Sequence, residues 1–229
     1  MHPRSPYRRL SIASALALAA LLGACSPTMP GAGASTSPMS FFVTSANPGK
    51  GADLGGLAGA DAYCQKLASA SGAGAKNWRA YLSSTAAGGG AAVNARDRIG
   101  RGPWKNAKGL TVASSVDDLH SADNQLSKQN SLTEKGEVIS GRGDTVNLHD
   151  ILTGSTADGR VDASAPDTTC GNWTKSGEGS AIVGHHDRIG LTDTALAKSW
   201  NASHASRGCG VEALKSTGGG GLFYCFAAN

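Results

Sequence analysis

The sequence predicts one α+β domain in which short strands and two helices are held together by disulfides. Three observations predict it. The apolar run Phe41-Phe42-Val43 is followed by Leu57, Ala60, Cys64 and Leu67 at helical spacing. The run Leu222-Phe223-Tyr224-Cys225-Phe226 near the C-terminus reads as a strand. Glycine supplies 32 of the 229 residues, about twice the usual share, without a Gly-X-Y period. That excess fits loops, and it excludes a collagen.

The elements follow in chain order. Residues 41–43 read as a buried first strand. Gly49, Gly51, Gly55 and Gly56 form a turn-rich link into an amphipathic helix over about 57–70, with Asp61, Gln65 and Lys66 on its polar side and Gly72 ending it. Trp78-Arg79-Ala80-Tyr81-Leu82-Ser83 alternates large apolar residues with others and reads as a strand. Glycines at 88–90 break the chain, and 93–99 can form a short second helix. Residues 100–170 read mostly as loop, with strand candidates at 111–113 and 138–139. The roughly 190 residues from Met39 onward suffice for one core burying roughly 70% of the unfolded surface.

Residues 1–24 read as an export signal. Arg4, Arg8 and Arg9 precede an apolar stretch over 10–24 that is too short for a bilayer, which needs ~20 residues. It ends in Leu22-Gly23-Ala24-Cys25, which resembles the lipobox of bacterial lipoproteins. That resemblance implies that Cys25 carries lipid and that the mature chain is anchored to a membrane. With Ser26 rather than Asp next to it, the implied location is the outer membrane, facing the periplasm or the surface. Residues 25–38, rich in Pro, Gly, Ser, Thr and Ala, then form a flexible tether to a domain spanning 39–229. The formal charge of +4 largely belongs to the signal, since removing it leaves 18 basic and 17 acidic side chains. Nucleic acid is therefore not expected as a partner.

Four cysteines remain after the anchor: Cys64, Cys170, Cys209 and Cys225. In an exported protein they are expected to pair, and three connectivities are open. No CxxC spacing points to zinc or thiol chemistry.

Cys64 in its helix, Trp78-Arg79-Ala80-Tyr81-Leu82-Ser83-Ser84, Leu152-Thr153-Gly154-Ser155, Gly159-Arg160-Val161, Cys170-Gly171-Asn172-Trp173 and Leu222-Phe223-Tyr224-Cys225 come in an order that resembles the endostatin type of C-type lectin-like domain. The resemblance spans 41–226. It implies a C-type lectin-like fold with two helices, a mostly antiparallel sheet and a long stapled loop region. It also implies the nested pairing Cys64–Cys225 and Cys170–Cys209. The function it implies is a non-enzymatic binding module for a glycan, polysaccharide or protein.

The calcium-dependent sugar site of C-type lectins is not expected. Neither Glu-Pro-Asn nor Gln-Pro-Asp occurs, and Ala202 follows Trp200-Asn201 where that site needs a carboxylate. The N-terminal histidines of the endostatin zinc site are absent too.

Candidate ligand-binding residues are His149, Asp150, His185, His186, Asp187, Trp200, Asn201 and His204, expected to meet in one groove with Trp200 as a stacking face. Imidazole beside carboxylate suits a transition metal or acid–base work. A metal-dependent hydrolase using His149, Asp150, His185, His186 and Asp187 is therefore the alternative, and a structural envelope protein a third. Without a HExxH-like spacing, the expectation is that the two aspartates cap turns and that no metal or cofactor binds. Arg142-Gly143-Asp144 and the sequons at Asn172 and Asn201 are taken as incidental. Asp97-Arg98-Ile99-Gly100 recurs as Asp187-Arg188-Ile189-Gly190, each arginine expected in a buried ion pair.

Overall fold

The computed structural model describes residues 37–87, 89–164 and 166–228, and the export signal, Cys25 and the tether up to residue 36 lie outside the described residues. Among the described residues the architecture is mixed α+β, and no helix is long and apolar enough to cross a membrane.

The chain is organised around its last strand. Strand β1 (Phe41–Val43) pairs antiparallel with residues 224–226 of β8 (Gly219–Ala227), and β2 (Trp78–Ala80) pairs antiparallel with 225–227. Strand β5 (Asp150–Leu152) joins the first half of β8 in parallel, β6 (Ile182–His185) pairs antiparallel with β5, and β7 (His204–Ala205) with β6. The order along this sheet is β1-β8-β5-β6-β7, with β2 beside β8. A two-stranded sheet of β3 (Trp104–Lys105) and β4 (Thr111–Ala113) lies apart from it.

Alternation along β8 sends successive side chains to opposite faces. Phe223 and Cys225 enter a core built on helix α1 (Gly56–Ala70), with Phe42, Trp78 and Trp173. Tyr224 and Phe226 enter a second core with Phe41, Tyr81, Trp104 and Trp200. Both faces of the strand are therefore buried, which explains its unbroken apolar run. Cys64 is bonded to Cys225, tying α1 to β8, and Cys170 is bonded to Cys209.

Three expectations change. The second helix shortens to α2 (Ala95–Arg98), and α1 is accompanied by further short helical turns, α3 (Val116–Leu119), α4 (Cys170–Trp173) and α5 (Val211–Lys215). All four residues of α4 have positive φ, 50° to 67°. Such a left-handed turn is unfavourable for residues with a Cβ. It is held by the Cys170 disulfide, by Thr169 capping Asn172, and by Trp173 Nε1 donating to the Ser83 carbonyl at 2.8 Å. The candidate strand at 138–139 contributes only a bridge between Leu132 and Val138.

Asp61 does not face solvent. It is buried, accepting from Ala80 N at 2.9 Å, Arg79 Nη1 at 3.0 Å and Arg98 Nη2 at 2.8 Å. Two guanidiniums reaching it from β2 and α2 turn a charged residue of the helix into a buried hub. Arg98 thus makes its expected ion pair. Arg188 does not, donating instead to the Lys198 carbonyl and Asn124 Oδ1.

Candidate metal centre

The end of the sheet away from β1 gathers imidazoles around one carboxylate. Asp150 and His185 are direct partners across β5 and β6, and His204 lies opposite Val183, two residues along the same face as His185. His149 precedes β5. It lies outside the regular strand, where side chains alternate between faces, and its Nε2 reaches the Asp150 carboxylate.

Asp150 Oδ1 is the common point. His149 Nε2 lies 3.1 Å from it, His185 Nε2 3.3 Å and His204 Nε2 3.5 Å, while His185 Nε2 and His204 Nε2 are 3.1 Å apart. Donor atoms bound tetrahedrally to zinc at 2.0–2.1 Å sit about 3.3 Å from one another. The separations involving Asp150 and the His185–His204 pair bracket that value, and His149, Asp150 and His185 gather within 4.8 Å of one another, with His204 at the edge of that group.

The far side of two of the three rings is already occupied, and that of the third faces a carboxylate. His185 Nδ1 meets the Ala197 carbonyl at 2.8 Å, His204 Nδ1 the Ala205 carbonyl at 3.1 Å, and His149 Nδ1 faces Asp187 Oδ1 at 3.4 Å. Carbonyls only accept, so the Nδ1 atoms of His185 and His204 carry the proton, while His149 Nδ1 has no partner of hydrogen-bond geometry among the described residues. The Nε2 lone pairs then converge on an anionic oxygen. Orientation of a ligating histidine by an acceptor on its other nitrogen is the usual outer shell of a metal site.

Asp150 is 2% exposed, and neither of its oxygens has a partner with hydrogen-bond geometry among the described residues. Burial alone would raise its pKa, but His185 and His204 beside it, with the charge of His149, outweigh that and bring it down to about 2. Asp187 follows the same pattern. Burial raises it, while His149 and the backbone N–H groups of Arg142 and Ile189 hold it well below the usual carboxylate range. Contact with Asp150 raises the His204 pKa against the opposing effect of its partial burial. Both aspartates are anions at neutral pH.

Two glycines make the geometry possible. A Cβ on Gly184 would collide with the Trp200 carbonyl, so glycine there lets the 197–205 segment close onto β6 and deliver the Ala197 carbonyl and His204. Gly218 has φ +107°, and a Cβ there would lie 3.0 Å from His149 Cδ2.

The other sequence candidates sit elsewhere. His186 is turned away, with Nε2 on the Ser140 carbonyl at 3.3 Å, and burial lowers its pKa. Asp187 supports His149, and it also caps the turn at Ile189 by accepting its N–H at 3.1 Å. Trp200 is only 3% exposed, packed on Tyr81 and Tyr224, so its face is closed to a stacking ligand. Asn201 donates to Tyr81 Oη and to the Thr156 and Ala157 carbonyls. These two residues border a separate cleft of about 560 Å³ that also touches His120 and Arg188. The single groove expected from the sequence is thus two clefts sharing Leu196 at their rims.

The histidine cluster opens into the second of them, about 360 Å³ in volume, where His204 keeps 39% of its side chain exposed. Arg142 lines this cleft, a role its incidental-looking tripeptide gave no sign of. No protein-family model matches the chain, and no curated protein matches it. The donor geometry therefore stands alone. It suits a borderline transition ion such as zinc, held by imidazole and carboxylate.

Proposed function

We propose that this chain is a non-enzymatic, metal-dependent binding domain of the bacterial envelope, anchored through lipid on Cys25. In this reading the domain is the endostatin type of C-type lectin-like fold, and zinc is held by His149, Asp150, His185 and His204. One observation carries it: three Nε2 atoms lie within 3.5 Å of Asp150 Oδ1 while the Nδ1 atoms of His185 and His204 are engaged by backbone carbonyls. This reading departs from the metal-free expectation because three imidazole nitrogens beside one carboxylate form a donor set that suits a cation. The nested disulfides Cys64–Cys225 and Cys170–Cys209 support the fold assignment.

Zinc at roughly a thousand times its Kd stabilises the folded state by about 4 kcal/mol. For a domain of this size that raises Tm by about 8–16 °C. The test is thermal melting of the purified protein with zinc or EDTA, together with metal analysis. One zinc per chain and a zinc-dependent Tm, both lost in Asp150→Asn and His185→Ala, are expected. An unchanged Tm with no retained zinc overturns the proposal.

A further inference from the structure

Arg142 lines the cleft beside the cluster, and its side chain has no counter-ion among the described residues. It lines the same cleft as His149, His185 and His204, is half-buried, and makes no side-chain hydrogen bond or ion pair among the described residues. The nearest acid in sequence, Asp144, is taken by Lys128 at 2.6 Å. Arg142 is nevertheless fixed in place: its backbone N–H donates to Asp187 Oδ2 at 2.7 Å, and the other oxygen of that carboxylate faces His149. One side chain thus positions both a metal ligand and the arginine.

A guanidinium with no anion on it is a ready partner for a planar carboxylate, which it can grip through two parallel hydrogen bonds. We infer that the cleft takes a small carboxylate ligand, bound between the metal and Arg142. This rests on the metal reading above. Charge selects the class. A divalent ion, Asp150, Asp187 and Arg142 leave one net positive charge, which a monoanionic carboxylate cancels and a phosphate dianion overshoots. Zinc with four protein donors can accept a fifth, and His204, the most exposed of them, marks the side from which it arrives. Thr192 and Thr194 line the wall with hydroxyls 3.2 Å apart, and Leu196, 62% exposed, adds an apolar edge. A hydroxy-carboxylate fits this lining better than a bare one.

The test loads the full-length protein with Co(II), which takes the same donors and whose visible absorption reports its coordination. Lactate, its neutral amide and inorganic phosphate are then titrated in turn. Lactate is expected to change the spectrum saturably, the amide to leave it unchanged, and phosphate to bind more weakly than lactate. Arg142→Gln is expected to weaken lactate by roughly tenfold or more while cobalt stays bound. Cobalt bound without response to lactate, an Arg142→Gln variant that binds lactate as well as the wild type, or phosphate binding as tightly as lactate overturns this inference and leaves the metal reading standing. Failure to bind cobalt at all overturns the metal reading beneath it.

Discussion

Of the three aspartates buried among the described residues, Asp61 and Asp150 are surrounded by opposite kinds of base. Asp61, at the α1 end, meets the guanidiniums of Arg79 and Arg98 and a backbone N–H, so both of its oxygens are engaged. Asp150, at the β5–β7 end, meets three imidazoles and has no partner of hydrogen-bond geometry among the described residues. Arginine is always charged; imidazole can give up its proton. The first site is complete as folded. The second is the one we propose to hold a metal cation. Burial of a carboxylate does not distinguish structure from function here, but the permanence of the surrounding charge does.

Substituting each aspartate in turn sharpens that contrast most. Asp61→Asn leaves the largely buried Arg98 without its counter-charge and is expected to cost about 3–5 kcal/mol in urea unfolding. Asp150→Asn in metal-free protein is expected to cost well under half of that, because the neighbouring imidazoles can neutralise. Equal losses would break the comparison.

Asp187→Asn probes the support of the second site. Loss of an outer-shell partner to a ligating histidine commonly costs 10–100-fold in metal affinity. The same range is expected for zinc here by competition with a chromophoric chelator, with the fold retained. An unchanged affinity would mean that His149 needs no orienting.

The smallest effect concerns His120, a half-buried imidazole with both nitrogens used, Nδ1 on the Val116 carbonyl and Nε2 on Tyr81 Oη, each at 2.7 Å. Burial lowers its pKa below the ordinary 6.5, against the raising effect of the Val116 carbonyl. The unfolded chain therefore binds the proton first, and stability is expected to fall as pH drops below about 6.5. His120→Gln should flatten that part of the stability–pH curve. If the slope persists, other groups produce it.

How much of this was legible in the sequence follows from which forces leave a local trace. Helix α1 and strand β8 were readable because burial imposes a period on apolar residues. Position 61 lies on the same face as 57, 60, 64 and 68, so its burial was present in the spacing. Its charge argued outward, and only the arrival of Arg79 and Arg98 from other elements reverses that. Strand β5 was not readable: Asp-Ile-Leu carries no alternation, and its pairing comes from β8 on one side and β6 on the other. The histidines were visible as residue types, but their grouping was not. His186 sits next to His185 in sequence and turns away in the fold, while His204, in a different motif, joins the cluster through the β6–β7 register. The carbonyls of Ala197 and Ala205, which fix two of the rings, leave no mark in sequence at all.

The central claim is that three imidazoles and one carboxylate at the β5–β7 end share one ion. X-ray absorption at the zinc edge of the zinc-loaded protein measures this directly. The account predicts a first shell of nitrogen and oxygen only, at about 2.0–2.1 Å, with outer-shell scattering from three imidazole rings that falls to two in His204→Ala. A shell of water oxygens with no imidazole signal, or a spectrum unchanged by that substitution, would contradict it.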